Sequence, residues 1–460
     1  MIELDRREAA RFRAAVRRCA GRPRGLGPPV ALRQDEDGLT LSAALEEAAI
    51  SLRLPTPGGA AACLVIPFAT LAAIAGPGGG AAVFEAGERG RVHCRWQDRG
   101  EPRELDFEPV PPEARSADLA PAGGLKAAAP SLLAALHACG RTAGRGPGGR
   151  LALSRLQLRG KLGEVVGTDG RQLLLWGGFQ FPFEDDVLVP AVPVFGGREF
   201  AGERDVRVGR TGAHVIVAAG PWTVWLAIDA TMRYPDVATV VPRGPRGAML
   251  LLDEADAVAV LHALPKAPGP GGDPAPVTLR FDARPSVGVE AAGPAPAADV
   301  RLSRSRCSGP ATAVGIDARY LAWALSLGLR EVRATAAGAA VLFRDEHRAY
   351  VVASLDRQPA PGAAGRPVPV PNQRTNPPTG EGEDGMNAQP NGPPPTDPGA
   401  AEDALDPLAE AEALRAALAE AARRVGRLMT SLRQFQKQRR ALQAAWASLK
   451  HLRLGPKEGP

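Results

Sequence analysis

Aromatic residues and cysteine are scarce in this chain of 460 residues, whereas alanine, glycine and proline are abundant. The cysteines are scattered, and no two have the Cys-x-x-Cys spacing of a zinc knuckle or a redox pair. This scatter argues against a disulfide framework, and we expect reduced thiols, as in a cytosol. Apolar residues still make up 45% of the chain, enough for packed cores in two or three domains. The five cysteines are Cys19, Cys63, Cys94, Cys139 and Cys307.

Long hydrophobic runs are also missing from the sequence. The most apolar stretch, residues 61–76, is shorter than a membrane span and contains Pro67. Residues 1–18 are charged throughout and lack the apolar segment of a secretory signal. We therefore expect a soluble, cytoplasmic protein that makes no contact with a membrane.

Motifs that would carry catalysis or bind a metal or cofactor are not found. The glycine-rich segments 76–80 and 146–149 lack the Lys-Ser/Thr of a phosphate-binding loop. His93 and His137 lie near cysteines, but no further ligands follow at metal spacing. The adjacent acids Asp185 and Asp186 are more typical of a surface than of an acid–base pair. We expect no active site, no metal and no cofactor.

Charge is unevenly distributed along the chain. The net charge is +6, and residues 401–460 hold eleven basic against seven acidic residues, which places +4 in this tail. The rest of the chain is only mildly basic, which permits contact with nucleic acid without requiring it.

The sequence contains an internal repeat of roughly 120 residues. A short apolar strand that leads into a helix recurs at Leu64-Val65-Ile66-Pro67, Leu188-Val189-Pro190 and Val314-Gly315-Ile316-Asp317. Helical segments at 5–19, 131–139 and 253–264 recur at about the same interval. We therefore predict an α+β fold of three similar domains, each with two helices on antiparallel sheets, at 1–122, 123–242 and 243–357.

The middle repeat has the clearest local signals. Leu151 and Leu153, with Leu156 and Leu158, predict a first pair of strands, and Asp169-Gly170 predicts a turn between strands. Further strands are expected at 173–176, 206–208, 214–218 and 222–228.

Several ordered motifs resemble the bacterial sliding clamp, the beta subunit of DNA polymerase III. Within the middle repeat these are RLALSRLQL at 150–158, TDGRQL at 168–173, VLVPAVPVF at 187–195 and RYPDVATVVP at 233–242. In the third repeat, 316–325 resembles the FNARYLLDAL motif of the family. The resemblance covers about residues 1–357.

The resemblance implies a homodimeric ring of six similar domains that encircles duplex DNA without reading its sequence. Such a ring serves DNA replication as a processivity factor, an accessory subunit of a polymerase with no catalytic site of its own. Its partners are polymerase and clamp-loader subunits. The alternative is a clamp-like paralogue that keeps the fold as an interaction scaffold and does not encircle DNA.

The family places basic residues on the helices that line the DNA channel. Lys126, Lys266 and Arg330 are further candidates. Asp253, Glu254 and Asp256 depart from a basic lining, and Pro193 with Gly196-Gly197 weakens the second helix of the middle repeat. The candidates implied for DNA contact are Arg6, Arg7, Arg11, Arg13, Arg17, Arg18, Arg22, Arg141, Arg145 and Arg319.

The family also has an apolar cleft that accepts short peptide motifs of its partners through hydrophobic anchors. Where the family ends in Met-Pro-Met, this chain has Ala353-Ser354-Leu355, which puts the depth of the cleft in question. The residues implied for this cleft are Leu153, Thr168, Gly170, Arg171, Gln172, Leu173, Pro235, Val240, Val351 and Val352.

The chain continues beyond the family's usual end. Residues 358–400 are dominated by proline, glycine, asparagine and threonine, which predicts a disordered linker. Asp406-Pro407 then marks a helix start, and apolar residues at spacings of four and three predict a coiled-coil helix within 401–455. We expect a coiled-coil partner for 408–452.

Overall fold

The computed structural model describes residues 1–20, 27–55, 60–76, 79–110, 124–144, 151–242, 247–264, 275–289, 298–334 and 340–355. The chain divides into two units, Met1–Pro367 and Val368–Pro460, and all described residues belong to the first. The expected linker and coiled coil lie outside the described residues. We call the parts of the first unit that fall at 1–122, 123–242 and 243–357 repeats 1, 2 and 3.

Each repeat combines several short strands with one or two α-helices. Repeat 1 contains β1 (Ile2–Asp5), α1 (Arg6–Ala20), β2 (Val30–Asp35), β3 (Gly38–Ala44), β4 (Ala48–Leu54), β5 (Ala62–Ile66), α2 (Phe68–Ile74), β6 (Ala81–Ala86), β7 (Val92–Asp98) and β8 (Glu101–Phe107). Repeat 2 contains β9 (Lys126–Ala128), α3 (Ser131–Thr142), β10 (Arg155–Arg159), β11 (Glu164–Thr168), β12 (Gln172–Trp176), β13 (Asp186–Pro190), β14 (Val206–Arg210), β15 (His214–Ala219) and β16 (Trp222–Ala227). Repeat 3 contains β17 (Ala248–Leu251), α4 (Glu254–Ala263), β18 (Pro276–Phe281), β19 (Ser286–Val289), β20 (Ala298–Arg301), β21 (Arg306–Ser308), β22 (Thr312–Asp317), α5 (Ala318–Ser326), β23 (Glu331–Ala334), β24 (Val341–Arg344) and β25 (Arg348–Val352).

The three repeats share one strand order, in two antiparallel sheets each. The first sheet has the orders β1-β6-β7-β8, β9-β14-β15-β16 and β17-β23-β24-β25, and the second has β5-β2-β3-β4, β13-β10-β11-β12 and β22-β18-β19-β20. Strand β21 is an addition that pairs with the outer side of β17. The predicted α+β architecture of three repeats is confirmed by this common order.

Sheets run without a break from one repeat into the next. Strand β4 of repeat 1 pairs with β16 of repeat 2, with Leu52 opposite Trp222. Strand β12 of repeat 2 pairs with β25 of repeat 3, with Leu173 opposite Val351. The second sheet of one repeat and the first sheet of the next thus form one sheet of eight strands and one of nine.

The helices pack on the buried side of these sheets. In α1, the spacing of Ala9, Phe12 and Val16 forms an apolar stripe that is fully buried. The Phe12 ring lies parallel to that of Trp222 in repeat 2, with 6.2 Å between centroids. Asp5 begins the helix by accepting hydrogen bonds from the backbone N–H groups of Arg7 and Glu8. None of the described helices is long and apolar enough to cross a bilayer.

Repeat 2 departs from the predicted plan in its second helix. Where repeats 1 and 3 have α2 and α5, it has only the 3-10 turn Pro193–Gly196. A Cβ at Gly196 would collide with the ring of His137 on α3, so the close approach of turn and helix requires glycine. Of the expected pair, only α3 is an α-helix.

The expected strand at Leu151 and Leu153 is also wrong. These residues form the 3-10 turn Leu151–Ser154, and β10 begins only at Arg155. The carbonyl of Leu153 accepts a hydrogen bond from the N–H of Gly144, 2.7 Å away, which ties this segment to the loop after α3 rather than to a neighbouring strand.

Candidate peptide cleft and nucleic-acid interface

A cavity of about 190 Å³ opens where β12 of repeat 2 meets β25 of repeat 3. The apolar side chains below it, such as Leu173 and Val351, form a cluster separate from the core that the helices cover. The cavity therefore lies on the face of the nine-stranded sheet that is not covered by helices. The residues that line it are Leu153, Thr168, Gly170, Arg171, Gln172, Leu173, Pro235, Asp236, Val237, Val240, Ala340, Val351 and Ala353.

One wall of the cavity is the turn between β11 and β12. The hydroxyl of Thr168 donates to the carbonyl of Gln172 (2.6 Å) and accepts from the N–H of Gly170 (3.0 Å). Asp169 accepts from the N–H groups of Arg171 and Gln172. Gly170 has a φ of 90°, a value that favours glycine. The order Thr-Asp-Gly at 168–170 is therefore explained by the turn itself, which presents Leu173 to the cavity.

The amide of Gln172 is held by protein groups. Its oxygen accepts from the hydroxyl of Tyr350 at 2.5 Å, and its nitrogen donates to Asp169 at 2.9 Å. Burial raises the pKa of Tyr350 well above its ordinary value, so the phenol keeps the proton that it donates. Because its amide is occupied, Gln172 shapes the cavity more than it offers hydrogen bonds to a ligand.

The opposite wall comes from the segment after repeat 2's last strand. Asp236 accepts from the N–H of Ala238 and thereby caps the 3-10 turn Val237–Thr239. This turn buries Val237 against the sheet and leaves Val240 52% exposed at the rim. Asp236 and Val237 were not among the expected cleft residues, although they lie inside the motif at 233–242.

The structure brings together every expected cleft residue except Val352. That residue is fully buried in the helix-covered core, because side chains alternate along β25 and Val351 takes the open face. Ala340 and Ala353 line the cavity as well, and each contributes only a methyl group. Neither was among the expected cleft residues, although Ala353 stands where the family has the first methionine of Met-Pro-Met.

Arg6 is wrong as a candidate for DNA contact. Its side chain is 4% exposed and its guanidinium donates to the carbonyl oxygens of Ile74 (2.9 Å) and Gln97 (2.5 Å) and to Asp98 (2.8 Å). All of these acceptors belong to repeat 1, and burial puts the charge beyond the reach of a ligand. Arg6 therefore holds α1 to the hairpin of β7 and β8.

Three other candidates are paired with carboxylates. Arg11 bonds Glu8 at 2.9 Å, and Arg18 bonds Glu199 of repeat 2. Arg319 bonds Asp317, the residue that caps α5, and this hydrogen bond raises the pKa of Arg319. A phosphate would have to compete with these acids for the guanidinium donors.

The remaining described candidates have no acidic partner within the described part of the chain. These are Arg7, Arg13, Arg17 and Arg141. Burial, and after it the like charge of Arg17 one helical turn away, lower the pKa of Arg13. Arg141 lies over the ring of Trp323. Arg22, Arg145 and Lys266 fall outside the described residues.

Helix α4 has acids where α1 has arginines. Asp253 caps it, and Glu254 lies 3.2 Å from Arg330. Asp256 is buried and accepts from the N–H groups of Arg304 and Ser305 and from the Ser305 hydroxyl. Between Glu254 and Ala263 the helix has no lysine or arginine. This part of the structure contributes no positive charge to a DNA interface.

Comparison with known proteins decides the fold. No protein-family model matches the sequence, and a search of curated proteins finds no match. Among solved structures, DNA polymerase III subunit beta from Pseudomonas aeruginosa has a TM-score of 0.60 at 17% identity, over 77% of this chain and all of its own. The chain has the sliding-clamp fold.

Two further clamps agree with this assignment. The sliding clamp from Bacillus subtilis has a TM-score of 0.62 at 12% identity, over 77% of this chain and 98% of its own. A clamp from Pseudomonas aeruginosa bound to griselimycin has a TM-score of 0.62 at 17% identity, with the same coverage. The resemblance inferred from the motifs is thus confirmed for the fold, in a divergent sequence.

Proposed function

We propose that this chain is a DNA sliding clamp of the polymerase III beta type, acting in the cytoplasm. Two copies close a ring around duplex DNA and hold the replicative polymerase on it during processive synthesis. The chain itself performs no catalysis. The observation that carries this proposal is the pattern of paired and unpaired sheet edges in the three repeats.

Each junction between repeats follows one rule. The last strand of the second sheet (β4, then β12) pairs with the last strand of the first sheet in the following repeat (β16, then β25). The two strands that correspond to these positions but have no such pairing are β20 of repeat 3 and β8 of repeat 1. Each of them has one strand partner among the described residues. Edges of this kind are used for pairing with another chain.

A second copy satisfies both edges at once. Strand β20 of one copy would pair with β8 of the other. In a dimer with twofold symmetry the same pairing occurs a second time, which closes the ring. Most of β8 is exposed and only Phe107 at its end is buried, so its outer side is accessible. The ring would then contain six repeats joined by six equivalent junctions.

The cavity between repeats 2 and 3 fits a peptide segment of a polymerase or clamp-loader subunit. Leu173, Val237 and Val351 form an apolar floor, and the exposed Val240 gives a rim on which a hydrophobic anchor can pack. Griselimycin, which is bound in a related clamp, is a probe for this cavity.

The test of the ring uses the full-length chain and one plasmid in two forms. The mass in solution is measured first, and a dimer or a multiple of it is expected. The protein is then treated with a clamp loader on nicked circular plasmid, and its retention is compared with that on the same plasmid after linearisation. Retention on the circle and loss from the linear form is the expected result. Equal loss from both forms would contradict encirclement.

The scaffold alternative is favoured by two observations. Several arginines of the helices are paired with acids, and α4 has no lysine or arginine. A clamp-like protein that uses only its cleft would bind griselimycin or partner peptides with the same affinity whether or not DNA is present. Binding of griselimycin that Val240→Asp abolishes, together with equal loss from both plasmid forms, would support this scaffold.

A further inference from the structure

One predicted DNA-contacting arginine is held in a manner unlike the others. Arg141 lies in the last turn of α3 in repeat 2 and is exposed, and its guanidinium carbon lies 4.1 Å from the ring centroid of Trp323. Trp323 belongs to α5 of repeat 3. The contact therefore joins two repeats at the junction that also forms the cleft.

The indole is itself fixed in place. Its N–H donates to the hydroxyl of Thr142 at 3.3 Å, and that hydroxyl donates to the carbonyl of Ala138 at 3.0 Å. Thr142 is fully buried and follows Arg141 directly in the chain. A tryptophan ring anchored at its N–H and packed against the core cannot turn away, so the surface it offers to Arg141 is constant.

Stacking and ion pairing leave an arginine in different states. A guanidinium stacked on an aromatic face keeps its N–H donors free, because they point outward in its own plane. A guanidinium bonded to a carboxylate, as in Arg11, Arg18 and Arg319, has donors and charge already engaged. Arg141 is thus ordered and still able to bind a phosphate with two parallel hydrogen bonds.

We propose that Trp323 is a positioning residue that holds the Arg141 guanidinium ready to bind a backbone phosphate of duplex DNA. This inference rests on the proposed function, since it assigns one contact within that DNA interface. Trp323 acts through Arg141 and does not itself touch the nucleic acid. The order that it imposes reduces the conformational freedom that Arg141 loses on binding.

The experiment measures the affinity of the full-length chain for a short fluorescein-labelled duplex by anisotropy, over a series of salt concentrations. Each phosphate contact contributes about 0.9 to the slope of log affinity against log salt. Arg141→Ala is expected to lower the slope by about this amount. Trp323→Leu is expected to lower it equally, and the double variant to lower it no further. Arg207→Ala, which removes an exposed arginine paired with Asp205, is the control and should leave the slope unchanged.

Trp323→Phe separates positioning from packing. Phenylalanine has no N–H to donate to Thr142 but keeps an aromatic face for Arg141. Because that face is what orders Arg141, the salt slope of Trp323→Phe is expected to be close to the wild-type value. Unfolding midpoints are measured for all variants, and Trp323→Met, which fills space without an aromatic face, carries the test if Trp323→Leu does not fold. A wild-type slope in Trp323→Leu, or in Arg141→Ala, would overturn the inference. Absence of affinity in the wild-type chain would instead overturn the proposed function.

Discussion

Helices α1 and α4 occupy the same place in their repeats and have opposite surfaces. Each follows the first strand of the first sheet, and each buries a short apolar stripe. The outward face of α1 carries arginines, whereas that of α4 carries Glu254 and the half-exposed Val258. The fold requires the buried stripe alone, because that stripe fills the space above the sheet. Charge on the outer face is free to diverge, and under the proposed function it is this charge that would attract the phosphates of DNA.

The largest expected change in stability comes from the buried face of α1. Phe12 on α1 is fully buried against Trp222, and Phe12→Ala should lower the free energy of unfolding by about 3–5 kcal/mol. Val258→Ala on the outer face of α4 should change it by less than about 0.5 kcal/mol. Urea denaturation of the full-length protein measures both. Similar losses in the two variants would mean that the outer face of α4 is packed as tightly as the buried side of α1.

A smaller effect distinguishes the acids of α4 from one another. Asp256→Asn removes the charge that three donors approach, and we expect a loss of about 1–3 kcal/mol in the free energy of unfolding. Glu254→Gln breaks an exposed ion pair with Arg330 and should cost less than about 1 kcal/mol. The same denaturation measurement applies. Equal costs would contradict the view that only Asp256 serves the fold.

The smallest effect depends on pH and concerns the beginning of α1. The hydrogen bond from Arg6 lowers the pKa of Asp98. A lowered pKa in the folded state stabilises the protein above the unfolded value of about 3.9, and this gain is lost as the pH falls through the folded pKa. Asp98→Asn should therefore be less stable than the wild type at neutral pH, and the gap should narrow on acidification.

Denaturation midpoints of both proteins across the acidic range check this prediction. Glu101→Gln, which changes an exposed acid of the same hairpin, serves as the control. A gap between wild type and Asp98→Asn that stays constant down to strongly acidic pH would show that the Arg6 contact does not stabilise the charged carboxylate.

The repeat and most elements could be predicted from the sequence. The recurring strands β5, β13 and β22, the amphipathic stripe of α1 and the Asp169-Gly170 turn are local patterns, and the structure has all of them. Most of the cleft residues also followed from the motifs. The second helix of repeat 2 did not form, because Pro193 and Gly196 allow only a short 3-10 turn beside His137.

Local residue patterns are therefore sufficient for the periodicity: the three repeats, most of the strands and helices within them, and which face of each is apolar. Packing between distant segments determines that Arg6 is buried while Arg141 is exposed, that Val237 closes the cleft, and that β8 and β20 keep one free edge each among the described strands. The reason is distance along the chain. The bonds of Arg6 span 68 to 92 residues and the bond from Trp323 to Thr142 spans 181, and no local pattern encodes contacts of that range.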